Sequence, residues 1–442
     1  MSLQPPEKVR KLQETLHAKA KEDPSYRFYA LYDKVYRTDV LAHAYRRCRK
    51  EKGSPGVDGE GFVDIETYGV DRWLGELAKE LQEKTYRAGP VMRVWIPKPD
   101  GTRRPLGVPT IRDRVAQTAA VLVLSPIFEA DLPEEQYAYR PGRSALDAVR
   151  KVHALINTGY GEVVDADVKG YFDEIPHAEL MKSVSRRVSD GHMLGLIKQW
   201  LKAPVEEIDD RGRKHRSTVN KDRGRGCPQG APISPLLANL YMRRLVLGWK
   251  ARGHEQRLEA RIVTYADDLV IGCRGGRGHE ALAALRGILG ELKLRVNEAK
   301  TCVRSVPEES VDFLGYTIGR CYSPRTGKAY IGTRPSRRSI QRVCREIRDL
   351  TSRRWLLTPA EDRVGRLNRL MCGWANYFYL GPVSKAYRSV DRHATRRLRQ
   401  WLRAKHKVRG EGTSRFPDQY LYDELGLVRL QQRTRSFPWA TA

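Results

Sequence analysis

The chain has 442 residues, and its 81 Lys and Arg against 53 Asp and Glu leave a formal net charge of +28. That length suffices for two or three domains with cores of their own, and 40% hydrophobic residues exclude a wholly disordered chain. The charge argues for a polyanionic partner, either nucleic acid or an acidic membrane surface.

No apolar run is long enough to span a bilayer, and of the two candidates nucleic acid, not a membrane, is the expected partner. The opening MSLQPPEKVRKLQETL lacks the apolar core of a signal peptide, which points to the cytosol. The cysteines Cys48, Cys227, Cys273, Cys302, Cys321, Cys344 and Cys372 are scattered, odd in number and never spaced C-x-x-C. Neither a disulfide framework nor a cysteine zinc site is expected.

In chain order, residues 1–50 read as helical and basic, and the Gly- and Pro-rich stretch 52–59 as a loop. A helix is predicted from about Val70 to Lys84. Val91 to Leu106 reads as a hairpin turning at Pro99-Asp100-Gly101. Residues 111–129 look helical, and Gly161 to Val168 is a short apolar strand carrying carboxylates. Ser234 to Leu247 is predicted as a helix, with Ser234 as N-cap and Pro235 at its first position. Arg261 to Gly272 reads as two apolar strands meeting at an acidic turn.

The last third carries three amphipathic stripes. They run Ile340, Val343, Ile347, Leu350; then Val364, Leu367, Met371, Trp374, Phe378; then Tyr387, Val390, Ala394, Leu398, Trp401. Gly381-Pro382 separates the last two. These predict a three-helix bundle beginning near Pro335. Beside the third stripe, Arg388, Arg392, Arg396, Arg399 and Arg403 form one ridge with almost no acidic residue interleaved. Intrahelical salt pairing therefore does not account for it; such a ridge can follow a phosphate backbone, with a solvated helix face as its other reading.

Asp267 and Asp268 sit at the tip of the apolar hairpin, where like charges repel unless water or a cation relieves them. Alone, such a pair is an ordinary exposed acidic turn. The strand Glu162-Val-Val-Asp-Ala-Asp-Val168 alternates, so Asp165 and Asp167 share a face. Setting it beside the turn gathers three or four carboxylates, a donor set suited to Mg²⁺. Two such ions serve nucleotidyl transfer.

Five blocks resemble those of reverse transcriptases, in order: Asp167-Val-Lys-Gly-Tyr-Phe-Asp173, Gly226 to Leu240 with its Pro-Gln-Gly, Tyr265-Ala-Asp-Asp268, Leu294 to Thr301, and Val311 to Tyr316. The chain is most similar to the group II intron-encoded reverse transcriptases, or maturases. Gly53 to Gly59 resembles their N-terminal extension, Tyr137 to Ser144 a fingers block, and Arg429 to Trp439 the close of their compact members. The resemblance implies an α+β right-hand polymerase: an extension over 1–62, fingers and palm with an antiparallel palm sheet over 63–334, and a helical thumb with a basic tail over 335–442.

The resemblance also implies roles. Asp167, Asp267 and Asp268 become the catalytic carboxylates holding two Mg²⁺ ions, with the carbonyl of Val168 as a further ligand. Asp165 is the rival to Asp167 and is expected to partner a nearby base instead. Phe172 takes the steric-gate position that favours dNTPs, with a core aromatic as its other reading. The amides around Lys169, Gly170, Tyr171 and Phe172 would cradle the triphosphate. Lys98 and Arg104 would grip it, although Arg103 leaves that register open by one residue. Gln229 would support the nascent pair, and Lys300 would lie near the phosphates.

Arg140, Arg143, Tyr265 and Gly315 would lie along the nucleic acid, with the thumb arginines following an RNA–DNA hybrid by shape. The partners implied are an RNA template and primer, dNTP, intron RNA and a DNA target. No histidine/cysteine cluster follows the thumb, so no endonuclease domain is expected; no room is left for a ribonuclease H domain either, and a replication fork is one source of primer. Two other readings stay open: an RNA-binding splicing cofactor with secondary polymerase activity, and an intron-independent defence or repair enzyme.

Overall fold

The computed structural model describes residues 3–97, 101, 103–209 and 211–434. Lys98 and most of the expected Pro99-Asp100-Gly101 turn lie outside these residues. The described strands are β1 (Val91–Pro97), β2 (Arg103–Val108), β3 (Glu162–Asp167), β4 (Val205–Ile208), β5 (Lys214–Ser217), β6 (Ala260–Tyr265), β7 (Asp268–Cys273), β8 (Cys302–Ser305), β9 (Val311–Phe313), β10 (Tyr316–Tyr322) and β11 (Ala329–Pro335). They form three sheets, ordered β2-β1-β4-β5, β6-β7-β3-β8 and β11-β10-β9. The second sheet is antiparallel throughout, and the whole is an α+β architecture.

One core surrounds the helix Ile111–Glu129, which is buried on nearly every side. A helix apolar all round needs partners all round. Its Pro126 has no N–H to donate to Leu122 four residues back, and Gln13 Nε2 donates to that carbonyl instead, at 2.9 Å. His17 Nδ1 meets the Pro126 carbonyl at 2.9 Å. The N-terminal helix Glu7–Glu22 is thus clamped onto the proline turn and shares its core, which runs on to Val296.

The predicted helices at Val70–Gln82 and Ile111–Glu129 are present. The helix expected from Ser234 runs Ser234–Ala251, but Ser234 is its first residue and caps nothing. Its hydroxyl donates to the Pro228 carbonyl at 2.8 Å, because the side chain is turned into the protein rather than along the helix.

A second core packs one face of the β6-β7-β3-β8 sheet, through Val163, Val263 and Val270, together with the three C-terminal helices. These are Arg337–Leu350, Ala360–Tyr377 and Ser384–Lys405, the three predicted stripes. Gly315 sits at their root with φ +82°, where a Cβ would lie 3.0 Å from Ser339 Oγ and 3.1 Å from the Phe378 ring. Its carbonyl accepts from Ser336 N at 2.9 Å and Ser339 Oγ at 2.8 Å. Gly315 therefore seats the first of these helices, with its backbone committed to that junction.

Candidate active site

The register of β3 against β7 sets Asp167 opposite Asp268, and that of β6 against β7 sets Tyr265 opposite the same residue. Cross-strand partners share a face, so Asp165, Asp167, Asp268 and Tyr265 all belong to the face that carries the second core. Only Ala266 and Asp267 close the hairpin. Ala266 has φ +56°, as the first residue of a tight primed turn requires. Its tightness brings the Asp267 carbonyl to the Val168 N–H at 3.2 Å, so the first acidic strand and the acidic turn are tied directly together.

Burial and like charges together set the electrostatics of this turn. Enclosure in the cleft, then the charges of Asp267, Asp167 and Asp165, push Asp268 up to about 7, with Lys300 opposing. The Asp268 side chain still reaches solvent, so the like-charge part of the rise is what a cation would cancel. Asp267 is raised by burial and by Asp167, and lowered by Arg104 and Lys300. Burial pushes Asp165 up to about 6 against the pull of Arg304, the base on β8 nearest in its field.

Asp167 is braced twice. Its Oδ2 accepts from Asn297 Nδ2 at 2.9 Å and from Lys300 Nζ at 3.3 Å. Asn297 N also donates to the Asp167 carbonyl at 2.7 Å. Asn297 lies in the Leu294 to Thr301 block, yet the sequence assigned it no role, because that role depends on the segment 295–297 lying beside the end of β3.

Among the described residues no three metal-ligating side chains stand close enough to hold one ion. The chemistry of the donors nevertheless fits a hard divalent cation: three carboxylates from two adjacent strand ends, with oxygen atoms as donors.

A cavity of about 740 Å³ joins Arg104, Tyr139, Phe172 and Gln229. Arg104 lines it and Arg103 does not, which favours the reading with Arg104 inward. Phe172 is half-buried, with its ring edge-on to Tyr171. Tyr171 is fully in the core and donates to the Ala238 carbonyl at 2.6 Å, so only its backbone is available to a nucleotide. Gly170, at φ +55°, starts that turn. Lys169 is exposed beside it.

Gln229 Nε2 donates to Asp173 at 3.1 Å, and its carbonyl accepts from Gly107 N at 2.5 Å. At Gly230, with φ +108°, a Cβ would lie 2.5 Å from the Gly107 carbonyl. Here β2 and the Pro-Gln-Gly block touch backbone to backbone. Tyr139, another residue that sequence reasoning passed over, is 54% exposed at φ +57° and lies in the field of Asp267.

Several expected nucleic-acid contacts change character. Arg140 is buried: Nε and Nη2 reach Glu129 at 2.9 and 2.7 Å, and Nη1 reaches the Pro133 and Gln136 carbonyls at 2.6 and 2.9 Å. Its donors are spent on the fold, so it is not free to touch a template. Arg143 is half-buried, donating to the Glu134 carbonyl at 2.6 Å beside the Tyr137 ring. Tyr265 packs against the second core.

The arginine ridge divides in two. Arg388, Arg392 and Arg396 are exposed along two adjoining grooves. Arg399 instead donates to the Phe416 carbonyl at 2.8 Å and pairs with Asp418, and Arg403 donates to the Gly410 carbonyl at 2.7 Å. The lower two hold the following loop.

Comparison with known proteins agrees with this geometry. The reverse transcriptase (RNA-dependent DNA polymerase) family profile matches residues 96–318, half of the chain, and the chain belongs to that family. The maturase-specific domain of group II introns matches residues 340–419, over the three C-terminal helices.

Protein YkfC of Escherichia coli K12 is 33% identical over 350 residues, covering 71% of this chain and 88% of that one. The putative COX1/OXI3 intron 1 protein of Saccharomyces cerevisiae is 27% identical over 63% of this chain. The group II intron-encoded protein LtrA of Lactococcus lactis subsp. cremoris is 31% identical over 49% of it. The matched stretches span only 38% and 35% of those two longer proteins. No helix among the described residues is long and apolar enough to cross a membrane.

Proposed function

We propose that the chain extends a primer 3′-hydroxyl with dNTPs on an RNA template. Two Mg²⁺ ions would be held by Asp167, Asp267, Asp268 and the Val168 carbonyl. The same protein would bind the RNA of a group II intron, assisting its splicing and its insertion into a DNA target. The observation that carries this reading is the register of Asp167 against Asp268, with Asp267 tied to Val168 by one hydrogen bond. Divalent cations, when bound, neutralise charge on the attacking and departing oxygens.

The chain's own residues do the rest. Asn297 aims Asp167. The Lys300 ammonium now rests on Asp167 and, once a cation takes that place, is available to the substrate phosphates. Arg104 offers a forked donor to the same phosphates. Phe172 stands where a ribose 2′-hydroxyl would clash, which excludes rNTPs by repulsion. Gln229, held by Asp173, presents a fixed surface to the nascent pair.

The reading as a splicing cofactor first and a polymerase second is favoured by one observation, the open arginines Arg388, Arg392 and Arg396 on the domain that matches the maturase profile. Primer extension on RNA with dNTPs or rNTPs, beside the double variant Asp267→Ala, Asp268→Ala, tests the polymerase. Extension with dNTPs that the double variant abolishes supports it. A folded protein that binds RNA and extends nothing would leave the cofactor reading in front.

A further inference from the structure

Beside the turn Lys169–Gly170 lies a separate cleft of about 340 Å³, which shares no lining residue with the Arg104 and Phe172 cavity. Its walls come from three distant parts of the chain: Lys169, the pair Arg223 and Arg225, and the pair Lys293 and Arg295. Glu174 holds Arg223 at 3.1 Å and Arg225 at 3.0 Å, so those two guanidinium groups are fixed at the rim. Arg225 also donates to the Lys293 carbonyl at 3.3 Å, and Lys169 N donates to the Arg295 carbonyl at 2.9 Å, which stitches the walls together.

Among the described residues Lys293 pairs with Glu179 alone, at 3.8 Å. It occupies φ +57° just past the helix Gly278–Glu291, where glycine is the unstrained choice. A lysine there gains from the helix C-terminus. That gain does not account for Arg295, nor for Arg223 and Arg225 arriving from another segment. Arg295 and Lys169 are exposed, and neither side chain makes an ion pair among the described residues. Five basic side chains thus line one cleft with Glu174, while the other acidic residue of its lining, Asp173, gives a carboxylate oxygen to Gln229 of the first cavity.

We propose that this cleft is a second polyphosphate site, which receives inorganic pyrophosphate as it leaves the active centre. It rests on the polymerase reading for the source of the ligand, because the turn that forms one wall is the same turn that would hold the dNTP phosphates. Charge-assisted hydrogen bonds to a multiply charged anion, from side chains already held at the rim, give such a site its affinity.

The test titrates the full-length protein with inorganic pyrophosphate in the presence of a chelator, so that no cation at the carboxylates recruits it. The same titration is made on the variant Lys293→Glu, Arg295→Glu, and on both proteins with a short single-stranded oligonucleotide. One saturable pyrophosphate site is expected in the natural protein, weakened about tenfold or more in the variant, since each reversed charge removes a charge-assisted bond. Oligonucleotide binding should be unchanged. In primer extension the variant should show weaker product inhibition by pyrophosphate at an unaltered KM for dNTP.

No pyrophosphate binding by the natural protein, or equal binding by the variant, overturns the proposal. So does a parallel loss of oligonucleotide binding, which would make the cleft part of the nucleic-acid track. Because the titration needs no catalysis, a protein that binds pyrophosphate yet extends no primer would separate failure of the polymerase reading from failure of this one.

Discussion

Replacing Asn297 with alanine tests whether the site depends on the aim of Asp167. Asn297 Nδ2 donates to Asp167 Oδ2 at 2.9 Å, while the Lys300 contact on the same oxygen is longer, 3.3 Å, and made by an exposed side chain. A hydrogen bond to a charged group contributes about 1.5–3 kcal/mol. Losing it frees the carboxylate to rotate within the field of Asp267 and Asp268. Outer contacts of this kind typically cost about 10–100-fold in metal affinity or activity when removed.

The measurement is single-nucleotide incorporation with the cation and dNTP concentrations varied independently. A higher cation concentration for half-maximal rate is expected, with primer–template affinity unchanged because no nucleic-acid contact is removed. The backbone bond from Asn297 N to the Asp167 carbonyl survives the substitution, so the thermal midpoint should move little. A cation midpoint and rate both within about twofold of the natural protein, outside the range these contacts span, would refute the reasoning.

Phe172→Val should raise rNTP incorporation relative to dNTP, read as the ratio of the two kcat/KM values. The ring is only half-buried, so folding should persist. Arg140→Ala should lower the thermal midpoint, since breaking a buried pair costs about 3–5 kcal/mol, while leaving template affinity per folded molecule intact. The triple variant Arg388→Gln, Arg392→Gln, Arg396→Gln should do the reverse: no thermal change, and a salt dependence of RNA binding reduced by about 0.7–0.9 in log–log slope for each phosphate no longer neutralised.

Asp268 lies at about 7 in the folded chain, above its unfolded value, so the folded state binds more protons in between. Stability without divalent cation should therefore fall as pH rises from the ordinary carboxylate range through about 7, and Mg²⁺ should flatten that fall. Thermal melts across this range, with and without the ion, check the sign.

Much of the site was legible in the linear chain because its signals are local. Alternation on β3 put Asp165 and Asp167 on one face, and the apolar runs around Asp267 and Asp268 announced a hairpin. The three C-terminal helices were readable from their apolar spacing, which the 3.6-residue period sets residue by residue. The strands β4, β5 and β8 to β11 were not foreseen. β4, β5, β8 and β9 have four residues or fewer, and all six depend on cross-strand pairing and sheet context rather than on local preference.

Tertiary structure alone decided which charged side chains are free. Arg140 and Arg143 look alike in the sequence, yet one is enclosed by Glu129 and three carbonyls and the other is half open. Arg399 and Arg403 continue the ridge of Arg388, but are used by the loop at 410–418. An arginine's role is set by which acceptors the fold brings within hydrogen-bond reach, and those acceptors lie on other segments. The same holds for Asn297 on Asp167 and for the basic cleft beside Gly170. The chain's residue types and periodicities determined that there would be an acidic, cation-seeking hairpin and a basic helical domain. Only long-range packing determined which side chains brace that hairpin, because a contact across 130 residues leaves no local period to read.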